Sequence, residues 1–134
     1  MNQLNSILIE GFVHEKPKTR LTENNKTVGE FGVRTYRSFK TETGYEKEVS
    51  YFDIVVWGRL AEVCAENLDK GREVRVVGRL TQQRWTDKDG TDHRAVKIVA
   101  EHVEFKPVPK DGKSPEPPEE DIPEEGIDLG EVDD

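Results

Sequence analysis

Residues 50–71 read SYFDIVVWGRLAEVCAENLDKG, a strand pattern that runs straight into a capped helix. Strict alternation puts Phe52, Ile54 and Val56 on one face of the strand. That face is purely apolar and needs only a core. The other face carries Tyr51, Asp53, Val55 and Trp57, two large aromatics beside a carboxylate. A core does not call for that mixture. After the strand, Leu60, Val63, Cys64 and Leu68 recur at helical spacing over Arg59–Asp69, with Lys70 in the last turn and Gly71 as C-cap. Cys64 lies in the apolar stripe and reads as a small core residue, since the partners that lower a thiol pKa are not evident.

On either side of this unit the signals are those of strands. Ser6–Val13 is β-rich with a glycine inside it, which suggests a bend. Thr27–Phe39 alternates. Glu73–Leu80 places Val74, Val76 and Leu80 on one face and Arg75, Val77 and Arg79 on the other, and His93–Val103 closes the set. Asp89-Gly90 between the last two is a hairpin turn signal. Five strands with one helix between the third and fourth is the element order of the OB-fold, an all-β, five-stranded Greek-key barrel. Glycines at 11, 32, 58 and 78 suit a small barrel whose strands bend sharply.

The charge is unevenly placed. Of the net −8, residues 1–106 carry +1 (18 Lys/Arg, 17 Asp/Glu) and residues 107–134 carry −9 (2 Lys, 11 Asp/Glu). All ten aromatics precede residue 106 and six of seven prolines follow it. The expected division is thus a folded body, 1–106, and a disordered, acidic, Pro-rich tail, 107–134, too poor in apolar residues to offset the entropy of ordering. The tail reads either as a solvating segment or as a docking motif, with Ile122, Ile127, Leu129 and Val132 set among carboxylates. One cysteine excludes an internal disulfide framework. The start lacks the charged-then-apolar pattern of a signal peptide, and no apolar run is long enough to cross a bilayer. The expectation is a cytoplasmic protein with no membrane partner.

Catalysis finds no support. His14, His93 and His102 are scattered, and no cysteine joins them at metal-ligand spacing. No phosphate loop, nucleophile elbow or zinc-protease motif is present, so neither a cofactor nor a metal is expected. What stands out instead is aromatics interleaved with cations: Arg34, Arg37, Phe39 and Lys40; Trp57 with Arg59; Arg84-Trp85, with Lys88 in the turn; and Lys70 and Arg72 beside Gly71. Single-stranded nucleic acid wants this mixture, because unpaired bases stack on aromatics and phosphates meet the cations between them. The plain alternative makes Trp57 and Trp85 core residues.

The segments NSILIEGFVHEKPKTR, VRTYRSF, YFDIVVWGRLAEVCAENLDKG and GRLTQQRWTDKDG, in this order and spacing, resemble the bacterial single-stranded DNA-binding proteins over residues 1–106. The resemblance implies an OB-fold that assembles as a homotetramer, wraps single-stranded DNA and recruits replication and repair proteins through an acidic tail. It implies stacking roles for Phe39, Tyr51, Trp57 and Trp85, so Tyr51 and Trp57 become a platform on one strand face. Family tails close with Asp-Ile-Pro-Phe; here Asp121-Ile122-Pro123 is followed by Glu124 and ten further residues, without a phenylalanine. Partner binding would then fall to Asp121, Ile122, Pro123, Ile127 and Leu129. An RNA-binding or protein-docking OB-fold is the alternative.

Overall fold

The computed structural model describes residues 2–109 and 115, and the tail expectation, including Asp121, Ile122, Pro123, Ile127 and Leu129, lies outside them. The strands are β1 (Ile7–Leu21), β2 (Thr27–Thr41), β3 (Gly44–Trp57), β4 (Glu73–Thr86) and β5 (Asp92–Phe105), and helix α1 (Gly58–Asn67) joins β3 to β4. They close into a barrel in the order β1-β2-β3-β5-β4. All neighbours are antiparallel except β3 and β5, whose short parallel contact pairs Ile54 with Ile98 and Val55 with Val99. This is the OB-fold architecture that the element order predicts.

β1 serves two partners. Ile7–Phe12 pairs with β4, and from Phe12 onward the strand pairs with β2. Its second half, beyond the predicted end at Val13, is polar and passes two register shifts, between Val13 and Glu15 and between Glu15 and Lys18. Pro17 sits inside the second, where a residue with no N–H to donate is tolerated. The side-chain amide of Asn5 extends the β1–β4 ladder: its Nδ2 donates to the Leu80 carbonyl at 2.8 Å and its Oδ1 accepts from the Leu80 N–H at 2.9 Å.

The core is Val13, Phe31, Val33, Ile54, Val56, Val74, Val76, Ile98, Ala100 and Val103 from the strands, capped by Ala61, Cys64 and Leu68 from the helical segment. Burial pushes the Cys64 thiol up to about 11, which fits a packing residue and not a nucleophile. Of the predicted apolar face, Ile54 and Val56 are fully buried and Phe52 packs half-buried against the core. Two positions depart from simple alternation. Val55 is on the outward face yet 3% exposed. Lys97 on β5 bonds Glu30 on β2 at 3.2 Å, and β3 lies between those strands, so the pair bridges over Val55. Leu80, expected on one face with Val74 and Val76, is 44% exposed whereas they are fully buried. Contact with β1 ends at Gly78 and the Asn5 side chain, and beyond Leu80 β4 pairs with β5 alone and leaves the barrel as one arm of a hairpin.

Outside, Arg75 Nη2 reaches Glu10 at 2.9 Å and its Nη1 reaches Glu104 at 3.3 Å, while Lys106 Nζ meets Glu10 at 2.9 Å. The bonds from Lys106 and Arg75 hold the Glu10 carboxyl below the usual carboxylate range. Glu10 and Glu104 are exposed and Arg75 and Lys106 only half-buried, so the network orders the surface and adds little stability.

Candidate nucleic-acid interface

β2 and β3 form a long regular hairpin, from Val28 opposite Trp57 to Thr41 opposite Gly44. Residues that face each other across a ladder share a face of the sheet. The outward face therefore carries Tyr51, Asp53, Val55 and Trp57 on β3, alternating with the buried Ile54 and Val56. It continues through Val99, Lys97 and His93 on β5 to Trp85, which pairs with His93 on β4. Tyr51 (55% exposed), Trp57 (46%) and Trp85 (50%) thus stand on one outer surface spanning β3, β5 and β4. None of them belongs to the core, so the core alternative for the two tryptophans does not hold.

Phe39 is placed differently. It pairs with Glu46 and shares the face of Val33 and Phe52, so the register puts it opposite Tyr51. It is half-buried, with the Arg37 guanidinium over its ring at 5.2 Å and Arg37 also held by Glu48 at 3.2 Å. The hairpin tip beyond it exposes Tyr45, paired with Lys40 on the Tyr51 face.

Apart from Arg37, exposed beside Phe39, the expected cations divide into two sets. Lys40, Arg59, Lys70, Arg84 and Lys88 are exposed and can meet a phosphate. Arg59 lies 3.7 Å from Glu62, and Arg84 Nε donates to Gln82 at 3.0 Å, both weak surface contacts that a phosphate can displace. Arg34 is placed differently from the others: at 4% exposure it is buried in the row Phe12–Arg34–Tyr51. Arg72 is committed to the fold, its Nε donating to the Lys106 carbonyl at 2.9 Å and its guanidinium lying 5.8 Å from the Phe105 ring centroid.

Sequence reasoning missed the rings that support this surface. Phe12 and Tyr36 pack at 5.8 Å, His14 meets Tyr51 edge-on at 5.2 Å, and His93 stacks on Trp85 at 5.3 Å and 20°. Each pair joins different strands, and His14 reaches Tyr51 across β2, so no local pattern announces it. Beside Tyr51 lies an open depression lined by His14, Glu15, Lys18, Arg20, Glu30 and Asp53 among others. Its mixed charge answers why Asp53 is tolerated beside aromatics: the face is wet. Among the described residues no cluster of three or more His, Cys, Asp or Glu could hold a metal ion, and no helix is long and apolar enough to cross a membrane.

Such a surface, flat rings spread over a β-barrel with exposed cations and an open depression, offers stacking faces and charge to a long ligand. Comparisons with known proteins agree with that character. The chain is 34% identical over 102 residues to the single-stranded DNA-binding protein of Caldanaerobacter subterraneus, covering 76% of this chain and 67% of that one. With the single-stranded DNA-binding protein of Aquifex aeolicus it shares 33% identity over 121 residues, 90% of this chain and 82% of the relative. Among solved structures, the Plasmodium falciparum SSB complex with ssDNA superposes with a TM-score of 0.72 at 22% identity, over 80% of this chain and 98% of that one, a likeness of fold. The model of the single-strand binding protein family matches residues 4–106, and the chain belongs to that family.

Proposed function

We propose that the outer surface of β3, β5 and β4 binds single-stranded DNA without sequence preference, by stacking bases on Tyr51, Trp57 and Trp85 and meeting phosphates with Lys40, Arg59, Lys70 and Lys88, while Arg84, on the other face of the β4–β5 hairpin, can meet only a strand that passes round its edge. The observation that carries this reading is the register that sets three large, half-exposed rings on one face. Base–aromatic stacking contributes about 1–3 kcal/mol per base, a range established on single-strand-binding OB-folds themselves. The protein acts in the cytoplasm, on DNA exposed in replication, repair and recombination. Titration of the tryptophan emission with oligo-dT, an equivalent RNA and a duplex tests the reading: strong quenching by oligo-dT and weak binding of duplex are expected. Preference for RNA, or affinity for none of the three, would favour the RNA-binding or protein-docking alternative.

Assembly follows from the open apolar surface. Leu8, Leu80 and Val96 are exposed on β1 and on the hairpin arm of β4 and β5. Covering them by closed symmetry leads to a homotetramer built from dimers. Light scattering at micromolar concentration should give four times the chain mass; a monomer mass would defeat the proposal.

The tail acts as a tethered competitor. The body is nearly neutral at +1, whereas residues 107–134 carry −9. A polyanion held beside the exposed cations competes with DNA for them. Deleting residues 107–134 should raise affinity for oligo-dT by roughly tenfold at low salt, the gain shrinking as the Debye length contracts. Equal affinity of both chains across a salt series would remove the competition. Capture of replication and repair proteins through Asp121, Ile122, Pro123, Ile127 and Leu129 is the second role, and the same deletion should abolish it.

A further inference from the structure

Two rings of the proposed interface carry a histidine, and the one on Trp85 is held in place from behind. His93 lies nearly parallel to the indole, with centroids 5.3 Å apart and an interplanar angle of 20°. Its Nε2 is 2.7 Å from Asp87 Oδ2. Asp87 is itself fixed by the turn, since its Oδ1 accepts the N–H groups of Asp89 and Thr91 at 2.9 Å each. The bond from His93, then that from Thr91, holds the Asp87 carboxyl below its usual range. Turn, carboxylate, imidazole and indole therefore form one chain at the tip of the β4–β5 hairpin.

We propose that His93 is a further contact for single-stranded DNA, and that it takes up a proton as the strand binds. The proposal rests on the single-stranded-DNA reading of this face. With Nε2 committed to Asp87, protonation adds a second N–H, at Nδ1, and a positive charge. A cation over an indole face is attracted by the ring, so the stack on Trp85 tightens and the other indole face stays open to a base. A base stacked there brings its phosphates beside His93, and a polyanion favours the protonated ring. The neighbouring charged groups are consistent with this. Lys88 and Asp89 belong to the turn; Arg84 and Arg94 pair with each other, which by register places them on the opposite face of the hairpin. Asp92 Oδ1 accepts the Thr86 hydroxyl at 2.7 Å. Asp87 is the carboxylate in contact with the ring.

Linkage sets the sign. If the complex binds more protons than the free protein, affinity rises as pH falls, by at most about tenfold per unit for one proton. The experiment is oligo-dT titration from pH 6 to pH 8 at constant salt, on the full chain and on His93→Gln and His93→Phe, the second of which keeps a ring on Trp85 but cannot be protonated. The wild-type affinity should gain on the order of fivefold more over this range than that of either variant. His14 and His102 remain in all three proteins, so the difference isolates His93. Equal slopes in the three proteins would overturn the inference while leaving the DNA reading intact. Failure of the wild type to bind oligo-dT at any pH would overturn both.

Discussion

Replacing Trp57 and Trp85 together with alanine should weaken binding of oligo-dT by about 2–6 kcal/mol, with each single change contributing about 1–3 kcal/mol. Both rings are roughly half exposed, so truncating them removes little buried area and leaves no cavity of the kind that unfolds a core. Trp57 precedes α1 with extended backbone (φ −124°, ψ 150°) and makes no side-chain cap, so alanine there keeps the helix start. The two changes should be nearly additive, because the residues stand on different strands and contact different bases. Circular dichroism and thermal melts of the variants should match the parent, while emission titration of the singles and filter binding of the double report the loss. A Trp57→Ala protein that melts early yet binds normally once refolded would return this residue to a structural role.

Gly78→Ala and Gly11→Ala should each destabilise the barrel by on the order of 3 kcal/mol. A Cβ on Gly78 would overlap the Val99 carbonyl oxygen and come within 3.0 Å of Ala100 Cα, where β4 meets the register shift of β5. A Cβ on Gly11 would overlap the Arg34 carbonyl oxygen and lie 2.8 Å from Val33 Cγ1, where β1 passes from β4 to β2. In both cases the obstacle is backbone, which cannot swing aside as a side chain can. Gly32 is the control, since an added Cβ finds its nearest neighbour, His14 Cβ, at an ordinary 3.6 Å. Denaturant melts should show two large losses and one small change. A tolerant Gly78→Ala would mean that the strands there can separate without cost.

The alternation in residues 50–57 was enough to tell core from surface, because one face of β3 is filled by Ile54 and Val56 and the other cannot be. The order of elements then left few ways to close a barrel. What stayed hidden depends on partners far away in sequence. Lys97 shields Val55 from the neighbouring strand β5, more than forty residues away in sequence, and no window around residue 55 contains it. Leu80 looks like a core residue until the hairpin is seen to leave the barrel. The polar second halves of β1 and β4 carry no apolar stripe, since each pairs with one neighbour outside the core, so periodicity stops short of their ends. Arg34 resembles its exposed neighbours in composition, yet Phe12 and Tyr51 flank it across the sheet. Phe39 was expected to stack beside Tyr51, yet parity along the β2–β3 hairpin puts it on the other face.

The central claim is that bases lie on the outer face of β3, β5 and β4. Photo-crosslinking with an oligo-dT in which bromodeoxyuridine replaces thymidine, followed by peptide mapping, tests it most directly, because the bond forms with whatever ring touches the base. The account predicts crosslinks at Tyr51, Trp57 and Trp85, suppressed by excess unlabelled oligo-dT and insensitive to duplex. Crosslinks confined to the opposite side of the barrel, with these three residues unmodified, would contradict it.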